Sequence, residues 1–149
     1  GDKGEVPDGE FTLPIGVAEI KREGRDVTIV SFGKIIKEAY KASDILAEEG
    51  IDCEIIDLRT IRPMDYNAIF ESVKKTNRLV ILEESWPFGN ISTEITFQVQ
   101  SQIFDYLDAP VEKINTADTP APYSPVLLAE WLPNANDVIK SVKKVMYVS

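Results

Sequence analysis

Three strand-length apolar runs dominate this chain: Val27-Thr28-Ile29-Val30-Ser31-Phe32, Ile51 to Leu58, and Arg78-Leu79-Val80-Ile81-Leu82-Glu83. Each is followed by a segment whose apolar residues recur at helical spacing. Strands apolar along their whole length are those covered on both faces, and strands that alternate with helices join in parallel through right-handed crossovers. The pattern predicts an α/β fold, a three-layer α/β/α sandwich around a mostly parallel sheet.

The remaining elements attach to that frame. Gly16 to Glu23 alternates apolar and polar residues, as a half-exposed antiparallel edge strand does, and Glu23-Gly24-Arg25-Asp26 reads as a turn that pairs it with the Val27 run as a hairpin. Ile35, Ile36, Ala39, Tyr40, Ala42, Ile45 and Leu46 mark a helix that Gly50 ends. Asp65, just after Pro63, is placed to cap a helix carrying Ile69, Phe70 and Val73; Asn90 or Ser92 can cap another carrying Ile91, Ile95, Val99 and Ile103. Val111 to Thr116 is a shorter strand, Pro120, Pro122 and Pro125 forbid regular ladders after it, and a last helix runs from about Asn134 to Val145. Residues 1–12 are polar and rich in Gly and Pro, and are expected to be the remnant of an interdomain linker ahead of a domain over residues 13–149.

Charge and composition narrow the function. A formal net charge of -9 with scattered basic residues excludes a nucleic-acid surface, and no apolar run approaches the roughly 20 residues that cross a bilayer. The chain has no histidine and one cysteine, Cys53, within a strand-like run, which reads as a core thiol in a reducing compartment. Most familiar catalytic sets are therefore absent.

Chemistry-bearing residues gather where the parallel strands end, the edge at which α/β domains place ligands and partners. Glu83 and Glu84 could act as an acid/base pair, but an ion-pair network with Arg59 and Arg62 at the adjacent strand exit is the stronger expectation. Trp86-Pro87-Phe88-Gly89 is an aromatic turn before a helix, suited to contact with another domain or subunit. Arg59, Arg62, Glu83, Glu84, Trp86 and Phe88 are thus candidates for a subunit interface. Ser31-Phe32-Gly33-Lys34 lacks the further glycines of a dinucleotide fingerprint. Tyr123, among three prolines, is expected to be a packed loop tyrosine, and Asp108 a turn carboxylate open to solvent or to a charged partner.

Five segments in order carry a resemblance: Leu13 to Gly24, Asp57-Leu58-Arg59-Thr60-Ile61-Arg62-Pro63-Met64-Asp65, Glu83-Glu84-Ser85-Trp86-Pro87, Leu107-Asp108-Ala109-Pro110, and Ala117-Asp118-Thr119-Pro120-Ala121-Pro122-Tyr123. Together the chain resembles the C-terminal domain of the pyruvate dehydrogenase beta subunit, of the transketolase C-terminal domain family. The resemblance implies a five-stranded mixed sheet with an antiparallel first strand. It further implies an intact enzyme that decarboxylates pyruvate and acetylates a lipoyl group, with thiamine diphosphate and Mg held by the alpha subunit and the preceding beta-subunit domain; no cofactor is expected on this one. Its implied duties are twofold pairing of beta subunits, contact with the alpha subunit, and docking of the basic peripheral subunit-binding domain of a dihydrolipoyl acyltransferase through Asp108 and the C-terminal carboxylate, here on Ser149. The implied location is the cytoplasm in a bacterium or the mitochondrial matrix in a eukaryote. The same domain serves branched-chain 2-oxo acid dehydrogenases and transketolase-like enzymes, and a free-standing flavodoxin-like nucleotide-binding domain is the alternative of a different class.

Overall fold

The computed structural model describes residues 4, 5 and 8–149; residues 1–3, 6 and 7, part of the expected linker, lie outside the described residues. In chain order the elements are Glu19–Arg22 (β1), Val27–Ser31 (β2), Ile36–Glu48 (α1), Cys53–Asp57 (β3), Tyr66–Thr76 (α2), Leu79–Leu82 (β4), Ile91–Ile103 (α3), Glu112–Ile114 (β5), Pro125–Trp131 (α4) and Ala135–Met146 (α5). The sheet order is β1-β3-β2-β4-β5, with β1 antiparallel to β3 and the other pairs parallel.

The central strand shows why the layers form. Every residue of β2 and of β4 is buried, so both faces of the sheet must be covered. Val27, Ile29, Ile55, Val80 and Leu82 face α1 and α5 in one core, while Val30, Ile56, Ile81 and Leu79 face α2 and α3 in the other. This alternation is the period-2 geometry of a pleated strand, and two helices pack on each face. The caps follow the sequence signals: Asp65 accepts the Ala68 N–H at 3.1 Å, Asn90 accepts that of Thr93 at 2.9 Å, and Asn134 and Asp137 form a capping box at the start of α5.

One expectation is corrected, and one element is added. β1 and β2 do not form a hairpin, because both edges of β2 are taken by parallel neighbours, β3 and β4, and β1 is carried to the outer edge of β3 instead. Gly24 makes that passage possible: a Cβ there would stand 2.2 Å from the carbonyl carbon of Cys53, so only glycine lets the turn lie against β3. The proline segment also holds a helix, α4. Pro125 occupies its first turn, where a missing N–H costs nothing and a fixed φ favours helix.

Candidate functional site at the two edges of the sheet

At the strand-exit edge, successive residues leave β4 in opposite directions. Glu83 is fully buried; its Oε1 accepts the Ser92 N–H at 3.2 Å and the Asn115 side-chain amide at 3.0 Å, while its Oε2 has no hydrogen-bond partner. A carboxylate beneath the first turn of α3 satisfies a free helix N–H and lies at the favourable end of the dipole. Glu84 is exposed and lines a cavity of about 360 Å³ near Lys34, Leu128 and Leu132. The two carboxylates are therefore not an adjacent acid/base pair.

Nor do they meet the arginines. Arg59 reaches Glu19 on β1, which also pairs with Lys21. The Lys21 ammonium, with Arg59 beside it, holds the Glu19 carboxyl below the usual carboxylate range. Arg62 is exposed on the wall of a cavity of about 670 Å³ shared with Ile61, Met64, Tyr66 and Ile91. The expected network fails because Glu83 is enclosed under α3 and because the antiparallel β1, once paired with β3, delivers its own carboxylate to Arg59.

The aromatic turn is as exposed as its sequence suggests. Phe88 is 89% exposed and Trp86 53% exposed. The indole N–H groups of Trp86 and Trp131 both donate to the Thr119 carbonyl oxygen at 2.9 Å, which clasps the proline segment between the β4 exit and α4. Tyr123, expected to be packed, is instead fully exposed, just ahead of α4, which itself buries no residue.

The strand-start edge is built differently. Thr28 Oγ1 lies 2.6 Å from Ser72 Oγ and 2.7 Å from Thr76 Oγ1 in a buried hydroxyl cluster that joins β2 to α2. Lys75 pairs with the fully buried Glu54, whose Oε2 also accepts the Gly24 N–H at 3.3 Å. Burial pushes the Glu54 carboxyl up, and the Lys75 and Gly24 donors outweigh it, leaving the group below the usual range. Sequence reading missed this pair; its only signal is a glutamate inside an apolar strand.

Asp108 sits on the same edge. Arg78 spans from the Asp108 carboxylate, 3.6 Å away, to the Val145 carbonyl, to which its Nε–H donates at 3.1 Å. Tyr147 takes a left-handed conformation with φ of 56°, and its hydroxyl donates to the Asp108 carbonyl at 3.5 Å. Asp108 and the exposed tail that ends at Ser149 thus share one corner. Between Asp108 and α3 lies a cavity of about 290 Å³ lined by Gln100, Phe104, Leu107, Asp108, Ala109 and Pro110.

Other candidates carry no site. Cys53 is buried, and burial pushes its thiol up to about 11, so it stays protonated and unreactive. Among the described residues no group of three or more Cys, Asp or Glu side chains could hold a metal ion, and no helix is long and apolar enough to cross a membrane.

Comparison with known proteins places this geometry. The family model described as Transketolase, C-terminal domain, matches residues 16–138. The chain is 49% identical over 143 residues, 96% of its length, to the mitochondrial pyruvate dehydrogenase E1 component subunit beta-2 of Oryza sativa subsp. japonica, of which it covers 38%. It is 48% identical over its whole length to the pyruvate dehydrogenase E1 component subunit beta of Rickettsia felis, covering 46% of it, and 45% identical over 92% of its length to the acetoin:2,6-dichlorophenolindophenol oxidoreductase subunit beta of Bacillus subtilis, covering 40% of that subunit. Among solved structures, a split gene transketolase, inactive beta4 tetramer, superposes with a TM-score of 0.80 at 26% identity, covering 97% of this chain and 46% of the other. The chain spans less than half the length of these relatives. A match that begins just before β1 and ends inside α5, with near-half identity across almost every residue between, shows that the chain belongs to the transketolase C-terminal domain family.

Proposed function

We propose that this chain is the C-terminal domain of the beta subunit of a thiamine diphosphate-dependent pyruvate dehydrogenase, serving subunit assembly and docking to a dihydrolipoyl acyltransferase. The intact enzyme would decarboxylate pyruvate oxidatively and acetylate a lipoyl group. The observation that supports the docking role is Asp108, whose carboxylate stays more than half exposed beside Arg78 at a corner shared with Tyr147. A net charge of -9 supports the reading further, because long-range attraction speeds the encounter with a basic module such as the peripheral subunit-binding domain. The exposed strand-exit edge, with Arg59, Arg62, Glu84, Trp86 and Phe88, would face the rest of the longer subunit and its alpha partner, with Glu83 supporting the turn from beneath.

Thiamine diphosphate would supply the carbanion chemistry of the intact enzyme. The residues present do not fit it: among the described residues no group of three or more acidic or cysteine side chains is placed to hold the magnesium ion, so no catalytic step is assigned to this chain and the isolated domain is expected to be inactive. The identity to the acetoin oxidoreductase subunit favours a second reading, in which the same domain serves a relative that cleaves a different substrate, as branched-chain and transketolase-like enzymes would.

Calorimetric titration of the chain with a peripheral subunit-binding domain, at low and moderate salt, tests the docking role. Binding that weakens with salt and falls at least tenfold in Asp108→Lys is the expected result. Unchanged affinity in that variant would remove Asp108 from the site.

A further inference from the structure

We propose that the cavity between the starts of α2 and α3 binds an apolar α-amino acid, its carboxylate on Arg62, its ammonium on Glu94 and its side chain against Ile61, Met64 and Ile91. This binding goes beyond the assembly and docking roles and depends on neither.

The arginines are the first observation. Arg22, Arg25, Arg59 and Arg78 lie within ion-pair distance of Asp44, Asp52, Glu19 and Asp108 in turn. Among the described residues Arg62 has no such partner, although the chain carries a net charge of -9. Its guanidinium stands on the wall of the cavity of about 670 Å³ that Ile61, Pro63, Met64, Tyr66, Ile91 and Glu94 complete. Glu94 presents the opposite charge to the same space. Its Oε1 accepts from the Tyr66 hydroxyl at 3.2 Å and from the Gln98 amide at 2.9 Å, and both bonds leave Oε2 for another donor. Burial and the Glu94 carboxylate raise the Tyr66 phenol while the Arg62 guanidinium opposes them, so both charges act on one ring.

Between these charges the surface is apolar. Ile61, Met64, Tyr66 and Ile91 are half-buried against the core beneath α2 and α3, and they also line the cavity. The loop that carries Arg62 is fastened at several points. The Gly16 N–H donates to Thr60 Oγ1 at 3.0 Å, the Thr60 hydroxyl donates to the Pro63 carbonyl at 3.0 Å, and the Ala18 N–H donates to Asp65 Oδ2 at 3.0 Å. A Cβ on Gly16 would stand 2.8 Å from Pro63 Cγ, so the incoming segment lies directly on this loop. A wall held in advance avoids the ordering cost that weakens small-ligand binding.

These features select the ligand. In a cavity of this size the few polar groups on an apolar lining set the charges of what it holds. A wholly apolar molecule would take Arg62 and Glu94 out of water without replacing their hydrogen bonds. A phosphate dianion would meet the Glu94 carboxylate as well as Arg62, whereas one guanidinium matches one carboxylate through parallel N–H donors. A simple carboxylic acid leaves Glu94 unanswered, and a simple amine leaves Arg62. A zwitterion without net charge serves both, and its apolar side chain covers Ile61, Met64 and Ile91. The Met64 thioether favours an aromatic ring there.

Calorimetric titration of the 149-residue chain with L-phenylalanine tests the site. Saturable binding with a dissociation constant on the order of 1 mM or tighter is the expected result. Phenylpropionate lacks the ammonium, phenethylamine the carboxylate and L-alanine the ring; each should bind roughly tenfold more weakly. Arg62→Met should weaken L-phenylalanine by the same factor at an unchanged melting temperature, and leave phenethylamine, which has no carboxylate to lose, unaffected. Absence of saturable binding, equal affinity for phenylpropionate, or an Arg62→Met variant that binds L-phenylalanine as tightly overturns the proposal. Should that variant lower the melting temperature, amide shifts of the wild type decide: L-phenylalanine should move Arg62, Met64, Tyr66, Ile91 and Glu94, and a titration that leaves them in place overturns it. Asp108 lies at the opposite edge of the sheet, so the docking titration succeeds or fails separately.

Discussion

At the strand-start edge Thr28, Ser72 and Thr76 share a buried hydroxyl cluster, Lys75 reaches Glu54, and Arg78 holds both Asp108 and the end of α5. At the strand-exit edge Phe88, Tyr123 and half of Trp86 stand in solvent. The first edge is closed by its own side chains, which fasten helices to strands. The second presents apolar rings on a backbone that is itself firmly held. A domain closed at one end and open at the other is suited to work inside a larger assembly: the closed end keeps the sheet together while the open end meets a neighbour.

The comparison breaks most readily at Gly24. Gly24→Ala forces the β1–β2 turn off β3, and urea unfolding should show a loss on the order of 3 kcal/mol or more. Gly89→Ala at the other edge meets no atom within 4 Å and should cost only about 1 kcal/mol, from its φ of 64° alone. Equal losses at the two glycines would erase the distinction.

Lys75→Met leaves Glu54 buried without its cation and should cost about 2 kcal/mol, at the low end for a buried pair because part of Lys75 lies in solvent. Glu54 titrates below its ordinary value when folded, so its contribution is complete above about pH 4.5 and is lost as pH falls through the depressed folded value. Lys75, raised by the Glu54 carboxylate, loses its share as pH climbs past about 10.5. Stability measured against pH should fall on both sides of that window in wild type and less steeply in Lys75→Met.

Smaller effects sharpen the open edge. Trp86→Ala removes a half-exposed ring and one of two donors to Thr119, and should lower stability by about 1 kcal/mol in thermal melts. Phe88→Ala should leave the isolated chain within about 0.5 kcal/mol of wild type while weakening assembly with a longer subunit. A large loss in the isolated chain would mean that the ring packs internally.

What the sequence discloses follows the same divide. The parallel strands, their flanking helices and the Asp65 and Asn90 caps are legible because each is written in local periodicity or in one capping side chain. The hairpin expectation fails because Glu23 to Asp26 encodes a turn and not the choice of neighbour; that choice depends on β3 and β4 occupying β2, which no local pattern states. The Arg59 partner is lost with it, since Glu19 arrives only through the pairing of β1 with β3. α4 had a readable signal in Ser124-Pro125, where proline suits a first turn, but the neighbouring prolines obscured it. The approach of Asp108 to the tail, and the shared Thr119 carbonyl, join residues more than 10 positions apart and need the fold to appear.

That shared carbonyl also decides what light can report. The chain has two tryptophans, and both indoles rest on Thr119, so intrinsic fluorescence observes a single corner of the molecule. A fluorescence transition that precedes the loss of helical circular dichroism would record the proline segment lifting from an intact sheet, whereas coincident transitions would show that the corner melts with the whole.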